Sequence, residues 1–165
     1  MRVSFGVAVL AAAILSGAVR AAPRCFTPAE AEAAHLRALQ QQFTVAALNC
    51  RTSDPSDPTF AAQYNKFIER FAAQMRSNGE ILFRHFGKGG RELDRWITRI
   101  ANDAGHRVIS QPDFCQQAWD RLDTMITLSV PEMQAYAVKT EAAGDFAPLC
   151  ADTKPAAGKA KAPSN

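Results

Sequence analysis

The sequence predicts an all-α protein: a single small bundle of about five to six helices, stapled by two disulfides. Apolar residues recur at intervals of three and four along most of the chain, which is the period of an amphipathic helix. No stretch shows sustained two-residue alternation with β-branched enrichment, so no strand is predicted. The chain also contains four cysteines, an even number, behind a candidate export signal.

Residues 1–21 have the features of a signal peptide. An arginine follows the initiating methionine, and an uncharged stretch rich in Val, Ala and Leu then runs to Val19. This stretch is shorter than the about 20 apolar residues that usually span a membrane. Val19 and Ala21 place small residues where a signal peptidase requires them, so we expect cleavage before Ala22, and a cut before Pro23 fits less well. The product is expected to be periplasmic or secreted, with no stable membrane anchor.

The helical domain is expected to span residues 22–150, followed by a flexible tail at 151–165. The whole chain has a formal net charge of +3, but the signal and the tail carry that excess. In the domain that lies between the signal and the tail, acidic and basic residues nearly balance. No basic footprint for nucleic acid or an anionic membrane remains. The tail has no apolar side chain larger than alanine, so it cannot repay the entropy of ordering.

The first helix is predicted to begin at Pro28 and to end near Cys50. Thr27 is a suitable N-cap, Pro28 suits the first helical position, and Glu30 completes a capping box. One apolar stripe then follows the helical period: Leu36, Leu39, Phe43, Ala46, Ala47 and Cys50. The stripe places the cysteine on the face that meets the core.

Turn-forming segments separate the helices in the middle of the chain. After a loop at residues 51–57, a second helix carries the most aromatic stripe and is expected to stop at Asn78-Gly79. A short apolar piece at residues 81–83 leads into a glycine-rich loop. The helix after that loop is expected to end at Gly105.

Two further helices are predicted before the tail. Pro112 can open the first of them, which carries a second cysteine on its buried side. Ser129 and Glu132 repeat the capping-box pattern at the start of the last helix. Gly144 is expected to break that helix.

Cys25, Cys50, Cys115 and Cys150 are predicted to form two disulfides, because oxidising compartments join such sets. The close pairs of a metal site or a haem attachment motif are missing. If a single helix separates Cys25 from Cys50, their about 35 Å separation excludes that pairing. The preferred pairing is Cys50 with Cys115 and Cys25 with Cys150. The alternative pairing is Cys25 with Cys115 and Cys50 with Cys150.

An aromatic stripe on the second helix is one candidate ligand site. Phe60, Tyr64, Phe67 and Phe71 follow the helical period and could line a pocket for a small apolar ligand between bundle helices. The alternative is that they pack in the core, which is the usual reason for an aromatic stripe at this spacing.

A glycine-rich loop is a second candidate, for an anion. Lys88 and Arg91 supply positive charge around Gly89 and Gly90, and a helix N-terminus follows. The loop lacks the spacing of a nucleotide-binding P-loop. The alternative is a mobile connection between two helices.

No catalytic residue, metal site or cofactor is predicted. His35, His85 and His106 share no metal-binding spacing, and surface or capping roles account for them. A nucleophile elbow of the GxSxG type is absent. Most acidic residues fall opposite the apolar stripes and are expected to be solvated: Glu69, Glu80, Glu92, Asp94, Asp103, Asp120, Asp123 and Glu132.

Several features occur together in this chain: the export signal, Cys25 ahead of a capped helix, the segment 45–50 (VAALNC), the segment 64–67 (YNKF) and the pair Phe114-Cys115. In combination they resemble a group of small exported, cysteine-bearing all-helical proteins of Gram-negative bacteria, which has no assigned activity. The resemblance implies an envelope compartment and disulfides, and it supplies no catalytic residue.

The sequence favours a non-enzymatic periplasmic protein that acts by binding, with another envelope protein as its partner or as a stress-related factor. One alternative is a carrier of a small apolar ligand in the helical bundle. A second is a hydrolase of envelope polymers, which requires a carboxylate of raised pKa in a cleft.

Overall fold

Six helices make up most of the part of the chain that the computed structural model describes, which is residues 25–51, 58–87, 89–141 and 146–151. They are α1 (Pro28–Asn49), α2 (Phe60–Arg70), α3 (Ala72–Phe86), α4 (Arg91–Ser110), α5 (Phe114–Thr127) and α6 (Val130–Glu141). These ranges contain no strand, only a single parallel bridge between Phe26 and Leu149. The all-α prediction is therefore confirmed. The predicted signal peptide and the tail after Ala151 lie outside the described residues.

Helix α1 is the central helix, because it contacts each of the other five. Its start is as predicted: the Thr27 hydroxyl accepts from the Glu30 N–H, and the Glu30 carboxylate accepts from the Thr27 N–H. However, more of the surface of α1 is buried than the single predicted stripe. Alanines on a second face pack against α3 and α4, since short side chains let neighbouring helices approach closely.

Two clusters of buried residues form the core around the two halves of α1. The N-terminal cluster contains Phe26, Ala31, Ala33, Ala34, Ala38, Leu82, Trp96, Ile100 and Ala147. The C-terminal cluster contains Leu36, Leu39, Phe43, Ala46, Cys50, Phe60, Phe67, Phe71, Met75, Phe114, Ala118, Leu122, Met125, Met133 and Ala137. The first joins α1 to α3, α4 and the two ends of the domain, and the second joins it to α2, α5 and α6.

Helices α2 and α3 run antiparallel to α1. The Tyr64 hydroxyl lies 3.1 Å from the Thr44 hydroxyl, near the end of α1. Further along the return path, the Asn78 amide donates to the Ala33 carbonyl near the start of α1. The pair of helices therefore carries the chain back along nearly the whole length of the central helix.

Helix α4 runs in the same direction as α1 and ends beside its C-terminus. Trp96 and Ile100 belong to the N-terminal cluster, whereas Val108, near the end of α4, packs against the C-terminal cluster. Helix α5 starts at the same end, because Cys115 in its first turn is bonded to Cys50. We call this the Cys50 end of the bundle.

The two disulfides hold both ends of α1. Cys25, just before the helix, pairs with Cys150 at a Cα–Cα distance of 4.8 Å. Cys50, immediately after it, pairs with Cys115 at 5.4 Å. The prediction of two disulfides is confirmed, in the preferred pairing. Backbone hydrogen bonds from Phe26 to Pro148 and from Cys150 to Phe26 reinforce the first of them.

Two helix ends differ from the predictions made at glycines. The break after α2 falls at Phe71, with φ −108° and ψ 21°, and α3 continues through Asn78-Gly79 to Phe86. Helix α4 continues past Gly105 to Ser110. Neither glycine has a positive φ, so the helical backbone continues through both. Packing of the residues around each glycine stabilises the helix by more than the about 1 kcal/mol that a glycine costs it. The apolar piece at residues 81–83 is therefore part of α3.

The last two helices are close to their predicted positions. Helix α5 begins at Phe114 with Asp113 as its N-cap, two residues after Pro112. At the start of α6, the Glu132 carboxylate accepts from the Ser129 N–H at 2.9 Å. The predicted break at Gly144 lies outside the described residues. In the described residues no helix is both long enough and apolar enough to span a bilayer.

Candidate functional site

The Cys50 end carries two of the four exposed large apolar side chains in the described part of the chain. Leu48 is 78% exposed in the last turn of α1, and Ile109 is 88% exposed in the last turn of α4. Leu48 lies two residues before Cys50, and Ile109 lies at the end of the helix that precedes α5, whose first turn holds Cys115. The remaining two, Phe83 and Leu149, lie elsewhere on the molecule.

An open cleft of about 460 Å³ lies beside Leu48 at this end. It is formed by the last residues of α1 and the first residues of α2: Ala47, Leu48, Cys50, Arg51, Thr59, Phe60 and Ala61. Segment 52–57, which joins these helices, lies outside the described residues. Most of the residues that line the cleft are apolar. One of them, Arg51, is positively charged and lies just after the end of α1.

The aromatic stripe of α2 lies mostly inside the core. Phe60 and Phe67 are fully buried and Phe71 is 2% exposed. The Phe60 ring centroid lies 5.1 Å from that of Trp119, and the Tyr64 hydroxyl meets polar groups of α1. These rings contact one another and their neighbours in the core. Only Phe60 reaches the cleft at the Cys50 end, so the predicted apolar-ligand site stays a prediction.

The glycine-rich loop leads directly into α4. Gly89 and Gly90 have φ values of 111° and 71°, and Gly90 is the N-cap. The first turn of α4 already contains Glu92 and Asp94, whose charges complement the positive end of the helix dipole and oppose an anion there. Lys88 lies outside the described residues. The predicted anion site stays a prediction.

His85 differs most from its expected surface role, because it is buried in α3. Its Nδ1 atom lies 3.2 Å from Oε2 of Glu30, and its ring stacks on Phe26 with centroids 4.0 Å apart. His35 is half-buried beside Phe146, and burial lowers the pKa of its imidazole. His106 lies within α4 rather than beyond its end, and it is exposed.

The Glu30 carboxylate connects the capping box of α1 to α3. Burial acts to raise the pKa of this group, but hydrogen bonds from Thr27 and the charge of His85 outweigh burial, so its pKa lies below the ordinary value. The capping box was visible in the sequence. The contact with His85 was not, since nothing local indicates a partner so far along the chain.

Glu141 is the acidic residue that the sequence analysis missed. It is 7% exposed, with Oε1 lying 3.6 Å from Nη1 of Arg121. The same Arg121 nitrogen donates to Oε1 of Gln42 at 2.8 Å. Burial raises the Glu141 pKa, although Gln42 and the charges of Arg107 and Arg121 oppose the shift. A signal existed: Glu141 continues the spacing of the buried residues Met133 and Ala137.

These titratable groups are separate pairs and do not assemble into one reactive centre in the described structure. Within the described ranges, no set of three or more His, Cys, Asp or Glu residues is placed to hold a metal ion. The four cysteines of the sequence all belong to disulfides.

Comparisons with known proteins supply no further constraint. No protein-family model, curated protein or solved structure matches this chain. Function must therefore be inferred from the chain's own residues.

Proposed function

We propose that the chain is an exported, non-enzymatic binding protein of the bacterial periplasm, and that its partner is another envelope protein. The two disulfides fit an oxidising compartment. The signal-like residues 1–21 supply the route to that compartment.

The observation that carries the proposal is the exposure of Leu48 and Ile109 at one end of the bundle. Single exposed apolar residues are ordinary on a protein surface. Here two of them lie at one end of the bundle, and a cleft of mixed polar and apolar surface adjoins Leu48. Exposed apolar side chains that lie together on a surface mark sites of protein–protein interaction.

The covalent bond between Cys50 and Cys115 suits this surface to binding. It joins the end of α1 to the start of α5, and Cys50 itself lines the cleft. A surface that is already ordered before association loses less conformational entropy when the partner docks. Rigidity at this end therefore favours affinity.

The hydrolase alternative has less support from the described residues. Glu141 has the raised pKa that a general acid requires. It is nevertheless 7% exposed and occupied by Arg121 and Gln42. A bulky polymer cannot reach a carboxylate in that position without opening the bundle.

Site-specific photo-crosslinking tests the proposal. The full chain, with its own signal, is expressed with benzoylphenylalanine at Leu48 or at Ile109, and cells are irradiated before the periplasm is analysed. We expect the same envelope protein to be linked from both positions, because both belong to one binding surface.

Phe83 is the matched control, since it is an exposed large apolar residue on α3, away from the Cys50 end. Benzoylphenylalanine at Phe83 should not give that adduct. The proposal would be abandoned if Leu48 and Ile109 gave no protein adduct, or if all three positions gave the same one.

A further inference from the structure

Residues 146–151, the last that the structure describes, lie across the N-terminal cluster, and we call them the C-terminal strap. The Trp96 indole N–H donates to the Phe146 carbonyl at 2.9 Å. The Phe146 ring also meets the rings of Trp96 and His35, with centroids 6.3 and 5.2 Å apart. Ala147 is itself a member of the cluster. The strap therefore contributes to the burial of Trp96, which is 3% exposed.

The disulfide at the end of the strap is its strongest attachment to the bundle. Ala147 is buried, whereas the next two residues are exposed. Backbone hydrogen bonds join Pro148 and Cys150 to Phe26, just before α1. So short a segment, with so little buried apolar surface, does not offset the entropy lost when it is ordered. The bond between Cys25 and Cys150 therefore keeps the strap docked.

The two disulfides differ in their exposure to solvent. Cys25 is exposed and Cys150 is half-buried. Cys50 is 7% exposed and belongs to the C-terminal cluster, against which Cys115 packs. Thiol–disulfide exchange requires that a thiolate reach one of the two sulfur atoms, so accessible disulfides are the more labile ones. A dithiol in solution should therefore reduce the bond between Cys25 and Cys150 first.

We propose that the Cys25–Cys150 disulfide is a redox-sensitive latch that holds the C-terminal strap over Trp96. One thiolate of a dithiol reductant attacks Sγ of Cys25 and forms a mixed disulfide, and Cys150 leaves as a thiolate. The second thiolate of the reductant then displaces Cys25. The reductant loses two electrons and becomes a disulfide, and its two protons pass to the sulfurs of Cys25 and Cys150.

Release of the strap changes one end of the molecule and leaves the rest folded. Trp96 and His35 become accessible to solvent, since Phe146 no longer lies against them. The C-terminal cluster contains no strap residue, and Cys50–Cys115 still joins α1 to α5. The latch therefore acts at the opposite end of α1 from the binding surface proposed above, and it does not depend on that proposal.

Stepwise reduction tests the order in which the disulfides open. Dithiothreitol is added in increasing amounts to the exported protein, which starts with both disulfides formed. After each step the free thiols are alkylated and located by peptide mass spectrometry. We expect Cys25 and Cys150 to be alkylated at about a tenfold lower dithiothreitol concentration than Cys50 and Cys115. The proposal is overturned if the two disulfides open together, or if Cys50–Cys115 opens first.

The indole N–H signals of the two tryptophans report on the strap in ¹⁵N NMR spectra. Trp119 is the internal control, because it packs against the C-terminal cluster, and Trp119→Phe assigns the two signals. When only the Cys25–Cys150 bond is open, the Trp96 signal should shift and exchange faster with solvent, while the Trp119 signal stays in place. The double variant Cys25→Ser with Cys150→Ser should show the same Trp96 signal without reductant.

Two results of this NMR experiment would contradict the latch. A Trp96 signal that stays in place after the bond opens would show that the strap remains docked without its disulfide. Movement of both indole signals at the same step would show that reduction opens the whole bundle. Far-UV circular dichroism of the same samples checks the second result, because we expect helix content to be unchanged when the strap alone is released.

Discussion

Glu30 and Glu141 have the same side chain and opposite pKa shifts, and their surroundings explain the difference. Glu30 gains hydrogen bonds from Thr27 and the charge of His85, which together outweigh its modest burial and lower its pKa. Glu141 is buried much more deeply, so loss of hydration outweighs the charges of Arg107 and Arg121 and its pKa is raised. Folding therefore favours the ionised form of one and the protonated form of the other.

Neutralising these two residues should change stability in opposite directions. A lowered pKa stabilises the fold above the ordinary value of 4.5, and this stabilisation is lost as pH falls through the folded-state pKa. Glu30→Gln should therefore be less stable than the wild type at pH 6, with the difference shrinking toward pH 3. Urea unfolding across this range measures it, and a difference that is independent of pH would contradict the assignment.

A raised pKa has the reverse consequence. Its stabilising contribution is present below the ordinary value of 4.5 and is lost as pH rises through the folded-state pKa. Glu141→Gln should therefore be more stable than the wild type at pH 7, and this gain should disappear below pH 4. The same urea series provides the measurement. A variant that is less stable at pH 7 than at pH 4, relative to the wild type, would show that Glu141 is favoured in its ionised form.

Removing the cation beside Glu141 should destabilise the fold. Arg121→Met takes the nearest positive charge from a buried carboxylate while Arg107 remains, and we expect it to cost about 1–3 kcal/mol, the range for a buried polar group that loses its partner. The double variant Arg121→Met with Glu141→Leu replaces both partners by apolar groups and should recover most of that loss. Chemical denaturation at pH 7 measures both, and equal stabilities for the single and double variants would contradict the coupling.

Only some of these residue-scale features could be predicted from the sequence. The capping box of Thr27 and Glu30 was predicted because its residues are neighbours along the chain. The contacts of Glu30 with His85 and of Glu141 with Arg121 were not, because each joins residues on different helices. Their positions depend on how α1 packs, which local patterns do not contain.

At the scale of helices, glycines act according to the backbone conformation that surrounds them. Gly90 begins α4 with φ 71°, a left-handed conformation that other residues adopt only with strain. Gly105 lies inside α4 with a helical backbone, and the methyl group of an alanine there would meet no atom within 4 Å. The same residue type is required at one position and merely tolerated at the other.

Alanine substitution should separate these two roles. Gly105→Ala should stabilise the protein by about 0.5–1 kcal/mol, because alanine restricts the unfolded chain and favours the helix. Gly90→Ala should destabilise it by about 1–2 kcal/mol, because of the left-handed backbone. Thermal unfolding measures both, with shifts of about 2–4 °C per kcal/mol. Shifts of the same sign would contradict this explanation.

The sequence predicted where helices begin better than where they end. Starts at Thr27 and Ser129 are marked by capping residues, whose hydrogen bonds are local. Glycines at positions 79 and 105 suggested ends that the structure does not have. The free energy that each glycine costs its helix is smaller than the stabilisation from burying the apolar residue that follows it. That residue is Leu82 after Gly79 and Val108 after Gly105.

At the scale of the whole molecule, the two disulfides fix both ends of the helix that every other helix contacts. Cys25–Cys150 closes the N-terminal cluster, in which Phe26 and Ala147 lie three residues or fewer from the bond. Cys50–Cys115 closes the C-terminal cluster, of which Cys50 is a member. A helix between Cys25 and Cys50 excluded their pairing from the sequence, and of the two pairings that remained the structure has the preferred one. The central position of α1 was not predicted, because one stripe gave no sign of its second buried face.

Serine pairs in place of each disulfide should show that both matter. Cys25→Ser with Cys150→Ser, or Cys50→Ser with Cys115→Ser, should each cost about 2–5 kcal/mol, since both bonds close long loops. Loss of the second pair should also reduce crosslinking from Leu48, because it frees the Cys50 end. Urea unfolding and the photo-crosslinking assay measure these effects. Loss of stability without any loss of crosslinking would separate the disulfide from the binding surface.

The most direct measurement is disulfide mapping of the protein recovered from the periplasm of cells that express the full chain. The sample is alkylated without reduction, digested and analysed by mass spectrometry. We expect no alkylated cysteine, and two linked peptide pairs that join Cys25 to Cys150 and Cys50 to Cys115. Free thiols, or links from Cys25 to Cys115 and from Cys50 to Cys150, would contradict a central helix held covalently at both ends.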